Sequence, residues 1–399
     1  MKTEDLFKRK EDCCGCELCF HSCPKGIIKM ESDEAGFLYP LIEDDSNCIN
    51  CKKCLTVCPM KTPGRANNEV VRSYSFSLKD TDDLKNSASG GLVTEISRRF
   101  IRGGGVVYGA QYSKDYLSVQ YGRASTVMDL ERFRGSKYVQ AYVNSLYEDL
   151  KEDLREGLNV LFVGLPCEVS AVYHAVGDKE NLYTIALICH GPTSQKVHRD
   201  YCESVSHFED GAIKFMSVRY KLTGWKPYYI HIEYDGGRVY DEQFNKSDYN
   251  TAFLYLKRLS CRACRYKVEN RNFGISSDLI CGDFHAVNPQ TTQYNKWGVS
   301  QGSVLTPKGE YLTSLLEGDY ATPSIPYSII RTSNRGMFMS IPQRGNYKKF
   351  VKDYTNHSLG YACHSSMVKI SNYIVNISFL FARFRNIPKK LALVLHWGR

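Results

Sequence analysis

Two copies of one cysteine pattern lie within the first sixty residues, and they restrict what the chain can fold into more than any other feature. Cys13, Cys16, Cys19 and Cys23-Pro24 recur as Cys48, Cys51, Cys54 and Cys58-Pro59, 35 residues further on. Each copy reads C-x2-C-x2-C-x3-C-P. Three cysteines on one tight loop reach three irons of a cubane, and the fourth, next to its proline, points to the partner cluster. The spacing predicts two 4Fe–4S clusters. The first takes Cys13, Cys16, Cys19 and Cys58; the second takes Cys48, Cys51, Cys54 and Cys23. Zinc sites or disulfides would not require both complete copies with both prolines. Cys14 falls outside the pattern and reads as a non-ligand neighbour.

The chain has 16 cysteines in 399 residues. Met1 to Glu11 is highly charged and has no apolar core of the kind that starts a secretory leader, so the cysteines are expected in a cytoplasmic, metal-binding or redox role rather than in disulfides. The net charge of +9 is uneven: residues 331–399 hold twelve Lys and Arg against one acid, Asp353, a net +11 that leaves the remainder near −2. A basic excess confined to one end argues against a nucleic-acid-binding body and for a tail that meets an anionic partner or surface. The longest apolar stretch, Val368 to Phe384, is interrupted by Lys369, Asn372, Asn376 and Arg383 and is no membrane span. Ile370, Ile374, Ile377, Phe381 and Phe384 fall at helical spacing within it. This face is expected to pack on the body or to lie peripherally on the inner membrane face.

Composition and periodicity divide the chain into a Cys-rich segment (1–66), an α/β body (67–330) and a basic, partly helical tail (331–399). Pro63 to Asn68 reads as the linker between the first two. In the body, helices are predicted over Leu92–Arg102, Ser145–Glu156, Cys167–Val176 and Gln195–Val205. Strands are predicted over Val106–Tyr112, Val119–Gly122, Val160–Val163, Tyr183–Cys189 and Asp278–Ile280, with a hairpin at Asp235-Gly236-Gly237. The tail is expected to turn helical from about Met367.

Four more cysteines stand where a parallel sheet gathers its sites. Cys167 follows one predicted strand and Cys189 another, while Cys261 and Cys264 form a C-x2-C pair. Two single thiols and a pair can complete a four-thiolate set, for which zinc and iron–sulfur are equally suited by spacing. Each could instead be a buried free thiol. The turn Ser87-Ala88-Ser89-Gly90-Gly91 opens a helix, and its free amides could hold a phosphate; an ordinary capped helix start is the alternative. Gly103, Gly105 and Gly109 precede a strand instead of following one, which disfavours a dinucleotide fingerprint. His190 reads as a structural histidine before a general acid or base. Asp283 could be a cap or a site carboxylate.

These pieces, in this order, resemble the coenzyme F-420 hydrogenase/dehydrogenase beta-subunit family, fused to a bacterial ferredoxin-type module. The matching stretches are Ser87–Thr94, Arg134–Ala141 (RGSKYVQA), Val160–Ala171 (VLFVGLPCEVSA), Leu187–Ser194 (LICHGPTS), Cys261–Lys267 (CRACRYK) and Gly282–Phe284. The resemblance implies a flavin, FAD or FMN, in the α/β body beside a third 4Fe–4S cluster on Cys167, Cys189, Cys261 and Cys264. It also implies flavin contacts from Ser89, Gly90, Gly91, Ser136, Lys137, Tyr138 and Gln140, with Lys137 holding phosphate or stabilising the reduced ring. His285-Ala286 stands where the family often has Trp-Gly, which puts the substrate pocket in question.

The function expected is that of an iron–sulfur flavoprotein oxidoreductase. It would move electrons between a hydride-carrying small molecule at the flavin and a ferredoxin-like carrier or partner redox subunit. The alternative is an electron-relay subunit of a larger complex, with no substrate of its own. No catalytic residue is assigned.

Overall fold

The computed structural model describes residues 1–64, 69–270, 272–316 and 324–372. Most of the expected linker, Pro63 to Asn68, and the tail beyond 372, with Ile374, Ile377, Phe381 and Phe384, lie outside the described residues.

The N-terminal segment repeats its backbone as it repeats its cysteines. Gly15 and Glu17 take left-handed conformations (φ 73° and 59°), and so do Asn50 and Lys52 at the same offset (φ 54° and 58°). One-turn helices follow at Leu18–His21 and Lys53–Thr56. Left-handed non-glycine residues cost about 1–2 kcal/mol each and persist where the surroundings demand the loop shape. Between the two loops lies an antiparallel hairpin, β1 (Lys29–Ser32) with β2 (Leu38–Leu41).

The body is built on a seven-stranded mixed sheet. Its strands are β3 (Arg72–Phe76), β4 (Val106–Tyr112), β5 (Val119–Ala124), β6 (Val160–Gly164), β7 (Leu182–Leu187), β11 (Leu279–Asp283) and β12 (Ser300–Val304), in the spatial order β3-β12-β11-β7-β6-β4-β5. The four central strands β11, β7, β6 and β4 are parallel; β5 and β12 are antiparallel to their neighbours. Parallel strands are covered on both faces, and the side chains alternate accordingly. Val160 and Phe162 pack into one core with Val169 and Val172 of a helix at Pro166–Val176, and Leu161 and Val163 into the other with Leu92, Ile96 and Phe100 of a helix at Leu92–Arg102. A second sheet, β8 (Ile213–Tyr220), β9 (Tyr229–Tyr234) and β10 (Val239–Gln243), is antiparallel and stands beside the first.

The expected boundary at 330/331 cuts through packed structure. Tyr347, Phe350, Val351, Tyr354, Leu359 and Ala362 belong to the same core as Val160 and Phe162, and Phe350 stacks on Tyr255 at 5.5 Å. As far as residue 372 the stretch is part of the body. Residues 366–372 are helical as expected, with Val368 buried and Ile370 exposed. Among the described residues no helix is long and apolar enough to cross a membrane.

Candidate functional site

In the N-terminal segment the two cysteine sets fall together across the repeats. Cys19 has Cys13 and Cys58 among its charged neighbours, and Cys16 has Cys58. Cys54 has Cys23, Cys51 and Cys48, and these four line one small cavity with Ile28 and Ile42. Burial pushes the thiols of Cys19 and Cys58 up, Cys58 to about 11. A thiol so placed ionises in the folded protein when it meets a compensating positive centre, which iron supplies.

Cys167, Cys189, Cys261 and Cys264 line a second cavity together, and Cys14 joins them. Cys167 sits in the first turn of the helix after β6, and Cys189 lies just past β7. The adjacent carboxyl ends of two parallel strands thus bring both thiols to one edge. Cys261 lies in a short helical turn at Leu259–Ala263, and Cys264 just after it. Gly191, in the left-handed region, approaches so closely that a Cβ there would stand 3.1 Å from that of Cys261. Among the described residues no three His, Cys, Asp or Glu side chains converge as a single metal ion requires. Two lysines adjoin the set. Lys257 is buried with Cys261 and Cys189 as its nearest opposite charges, and burial lowers it to about 8. Lys267 is buried and donates to the carbonyls of Cys189 (3.1 Å) and Gly336 (2.5 Å).

Cys189, His190, Gly191 and Pro192 are also in the wall of a larger cavity of about 290 Å³. It opens outside the carboxyl ends of the parallel strands, with Ala110, Gly164, Leu187 and Asp283 at its floor, the position where open α/β sheets hold ligands. Ser89, Ser136, Lys137 and Tyr138 line it; Gly90, Gly91 and Gln140 do not. Gly90 is a packing glycine: a Cβ would stand 2.1 Å from the carbonyl of Phe76, and its amide donates to Ser300 Oγ at 2.8 Å. That bond uses an amide expected to be open to phosphate. Gly91 packs on Leu78. Gln140 turns the other way, its Nε2 donating to the carbonyls of Cys14 (2.8 Å) and Gly15 (3.1 Å). Lys137 spends its donors on the carbonyls of Phe133, Arg134 and Gly135 at 2.9–3.3 Å, so it braces its own loop; burial lowers it to about 7.

Asp283 and Arg219 form the polar centre of the larger cavity. Arg219 donates to both carboxylate oxygens, at 2.8 and 3.4 Å, and lies over the Tyr228 ring at 4.2 Å. Burial acts to raise the Asp283 carboxyl, but the guanidinium overrides it and holds the group well below the usual range. His190 is pushed down to about 3, by burial first and then by Lys257, so it is neutral at physiological pH and packs against Gly336.

Beyond Arg219 the cavity continues into a side chamber of about 120 Å³, which shares Ser89, Arg134, Ser136 and Arg219 with it. Lys221 and Trp225 also line this chamber. Lys221 is buried and donates to the carbonyls of Leu84 (2.7 Å) and Ser89 (2.6 Å); burial lowers it to about 7. Arg134 Nε, Trp225 Nε1 and Tyr112 Oη, all from residues of the chamber wall, are buried without a hydrogen-bond partner. Neither Arg219, Lys221 nor Trp225 belongs to a recognisable motif.

Three adjoining cavities, two cysteine sets in the N-terminal segment and four thiols in the body define the class: an iron–sulfur electron-transfer protein on an α/β scaffold. Residues 12–62 match the 4Fe–4S dicluster domain model. Residues 157–319 match the model for the C-terminal part of the coenzyme F-420 hydrogenase/dehydrogenase beta chain. The chain thus carries a 4Fe–4S dicluster domain followed by a region similar to the C-terminal part of the coenzyme F-420 hydrogenase/dehydrogenase beta subunit, which indicates an oxidoreductase. An uncharacterized ferredoxin of Methanocaldococcus jannaschii is 42% identical over 55 residues, covering 14% of this chain and 69% of that protein. A chain of the F-420-reducing NiFe hydrogenase complex from Methanosarcina barkeri superposes with a TM-score of 0.49 at 19% identity, over 72% of this chain and 94% of that one.

Proposed function

We propose that the chain is an iron–sulfur flavoprotein oxidoreductase with three cubanes and one flavin, FAD or FMN. Cys13, Cys16, Cys19 and Cys58 would hold the first cubane, Cys23, Cys48, Cys51 and Cys54 the second, and Cys167, Cys189, Cys261 and Cys264 the third. The observation that carries this reading is that Cys189 lines both the four-thiol cavity and the larger cavity beside it. A ring held in the larger cavity would be a direct neighbour of the third cubane. A flavin supplies the exchange between a hydride pair and single electrons. The chain's own part is to shape the site: Ser89, Ser136 and Tyr138 line it, Lys137 braces the Arg134–Lys137 loop, and Arg219 with Asp283 fixes its charge.

The side chamber favours an enzyme over an electron-relay subunit. A relay needs no space beside the flavin, whereas this chamber offers cations and unpartnered donors to an oxygen-rich, anionic small molecule. One-electron exchange with a ferredoxin-like carrier or redox subunit would take place through the dicluster segment. Residues 1–66 would form that module and residues from 67 to at least 372 the catalytic body.

Anaerobic purification with iron, sulfide, zinc and flavin analysis tests the reading. About twelve irons and one flavin per chain are expected, four irons for each cubane. About eight irons with one zinc would remove the third cubane, and absence of flavin would remove the enzyme reading.

A further inference from the structure

Arg258 is among the most deeply buried large side chains of the protein, at 1% exposure. It belongs to the body, three residues before Cys261, yet its guanidinium ends in the first cysteine loop. Nε donates to the Cys13 carbonyl at 2.9 Å, and Nη2 to the Leu38 carbonyl at 2.8 Å and to Cys13 Sγ at 3.4 Å. Nη1 donates to Gln140 Oε1 at 3.1 Å, and the guanidinium lies over the Tyr39 ring at 4.3 Å. None of these partners is a carboxylate. A buried charge without a counter-charge is strongly unfavourable, so the fold should provide an anion here. The Glu17 carboxyl is one acidic neighbour, but the group that the guanidinium touches and that can carry negative charge is the Cys13 thiol. Beside the second set, Cys23, Cys48, Cys51 and Cys54, the cation is the Met1 ammonium at Cys48, and it is shared with the Asp45 carboxylate at 3.4 Å.

We propose that Arg258 is a positioning residue for the first cubane and sets its reduction potential apart from that of the second. One-electron reduction adds one negative charge at the site; no bond forms and no proton moves. A fixed cation in contact with a ligand thiolate offsets that charge where solvent cannot, and hydrogen bonds to ligand sulfur and local charge are established levers on cluster potential. The same fork, through the Cys13 and Leu38 carbonyls, holds the first loop against the cavity that Cys14 shares with Cys167, Cys189, Cys261 and Cys264. Charge and placement are thus supplied by one side chain. The inference rests on Cys13 being a ligand of the first cubane, and it requires neither the flavin nor the third cubane.

The test is an anaerobic redox titration of the full chain, followed by the paramagnetic signals of the reduced clusters, with iron counted in every sample. Arg258→Met should make one cluster about tenfold harder to reduce, which is 59 mV for a one-electron couple, and leave the others in place. Arg258→Lys, which keeps the charge and loses the fork, should shift the same cluster by clearly less. Unmoved midpoints in an iron-replete Met variant would overturn the proposal, as would equal shifts in both variants. Should the Met variant lose iron, retention of iron with a near-native midpoint in the Lys variant supports the role of charge; loss from both overturns it in favour of packing alone. A protein with eight irons or no flavin would defeat the proposed function and still show or lack the Arg258 shift.

Discussion

A Gln140→Leu substitution removes three hydrogen bonds at the seam between the first cysteine loop and the body. Gln140 Nε2 donates to Cys14 O at 2.8 Å and Gly15 O at 3.1 Å, and Oε1 accepts from Arg258 Nη1 at 3.1 Å. Its backbone bonds to Thr193 and Gln195 remain, and leucine fills similar space. Two neutral bonds at about 1 kcal/mol each and one charge-assisted bond at about 2 kcal/mol make about 4 kcal/mol lost from the closed loop. At about 1.4 kcal/mol per factor of ten, local opening would rise by up to about a thousandfold. The assay is anaerobic release of iron to excess ferrous chelator. About four irons, one cubane's worth, should leave faster than in the parent, while the flavin-to-protein ratio stays the same. Loss of flavin with unchanged iron release would refute the reasoning and return Gln140 to a flavin site.

Two further outcomes follow from the site. Cys14 contacts Cys16 and Cys167 but belongs to neither four-cysteine set, so Cys14→Ala should retain about twelve irons; a fall to about eight would make it a ligand. Lys221 is lowered by burial to about 7, so inorganic sulfate, an anion of fixed charge, should bind in the side chamber more weakly as pH rises through 7. The unfolded chain holds this proton up to about pH 10.4, so the stability contribution changes oppositely, rising with pH from about 7 to about 10.4. A sulfate titration at pH 6 and 8, repeated with Lys221→Met, checks this. Sulfate affinity that is equal at both pH values, or a pH dependence that survives in Lys221→Met, would refute it.

The cysteine spacing made the crossed grouping of the two N-terminal sets legible, because a C-x3-C-P run has few physical uses. Strands β4, β6 and β7 were legible because apolar residues on both faces leave a continuous run. Strand β12 was not. Ser300-Gln301-Gly302-Ser303-Val304 is wholly buried and carries almost no hydrophobic signal. Its polar groups are satisfied sideways instead, Ser303 Oγ by Ser73 Oγ at 2.9 Å and Gln301 by Asn334 at 3.0 Å. Strand β3, Arg72-Ser73-Tyr74-Ser75-Phe76, was hidden for the same reason. The division at 330/331 followed charge, but Tyr347, Phe350 and Tyr354 carry the packing, and charge on the solvent side of a helix says nothing about what its other face covers.

The residues that the resemblance sets against the flavin and the structure commits elsewhere share a physical cause. Gly90, Lys137 and Gln140 stand in segments that do border the larger cavity, yet each is committed to a neighbour far away in sequence or to its own loop. Gly90 meets strands β3 and β12, Lys137 meets three carbonyls of its own turn, and Gln140 meets the cysteine loop. A motif fixes which segment lies at a site. Which side chain of that segment points into it depends on where the donors and acceptors of other segments fall, and here those are mostly backbone carbonyls, which sequence does not distinguish. The same holds for Arg258. Nothing in Lys257-Arg258-Leu259 marks its guanidinium as the counter-charge of a cluster 245 residues away; only its hydrogen bonds to the carbonyl and thiol of Cys13 do.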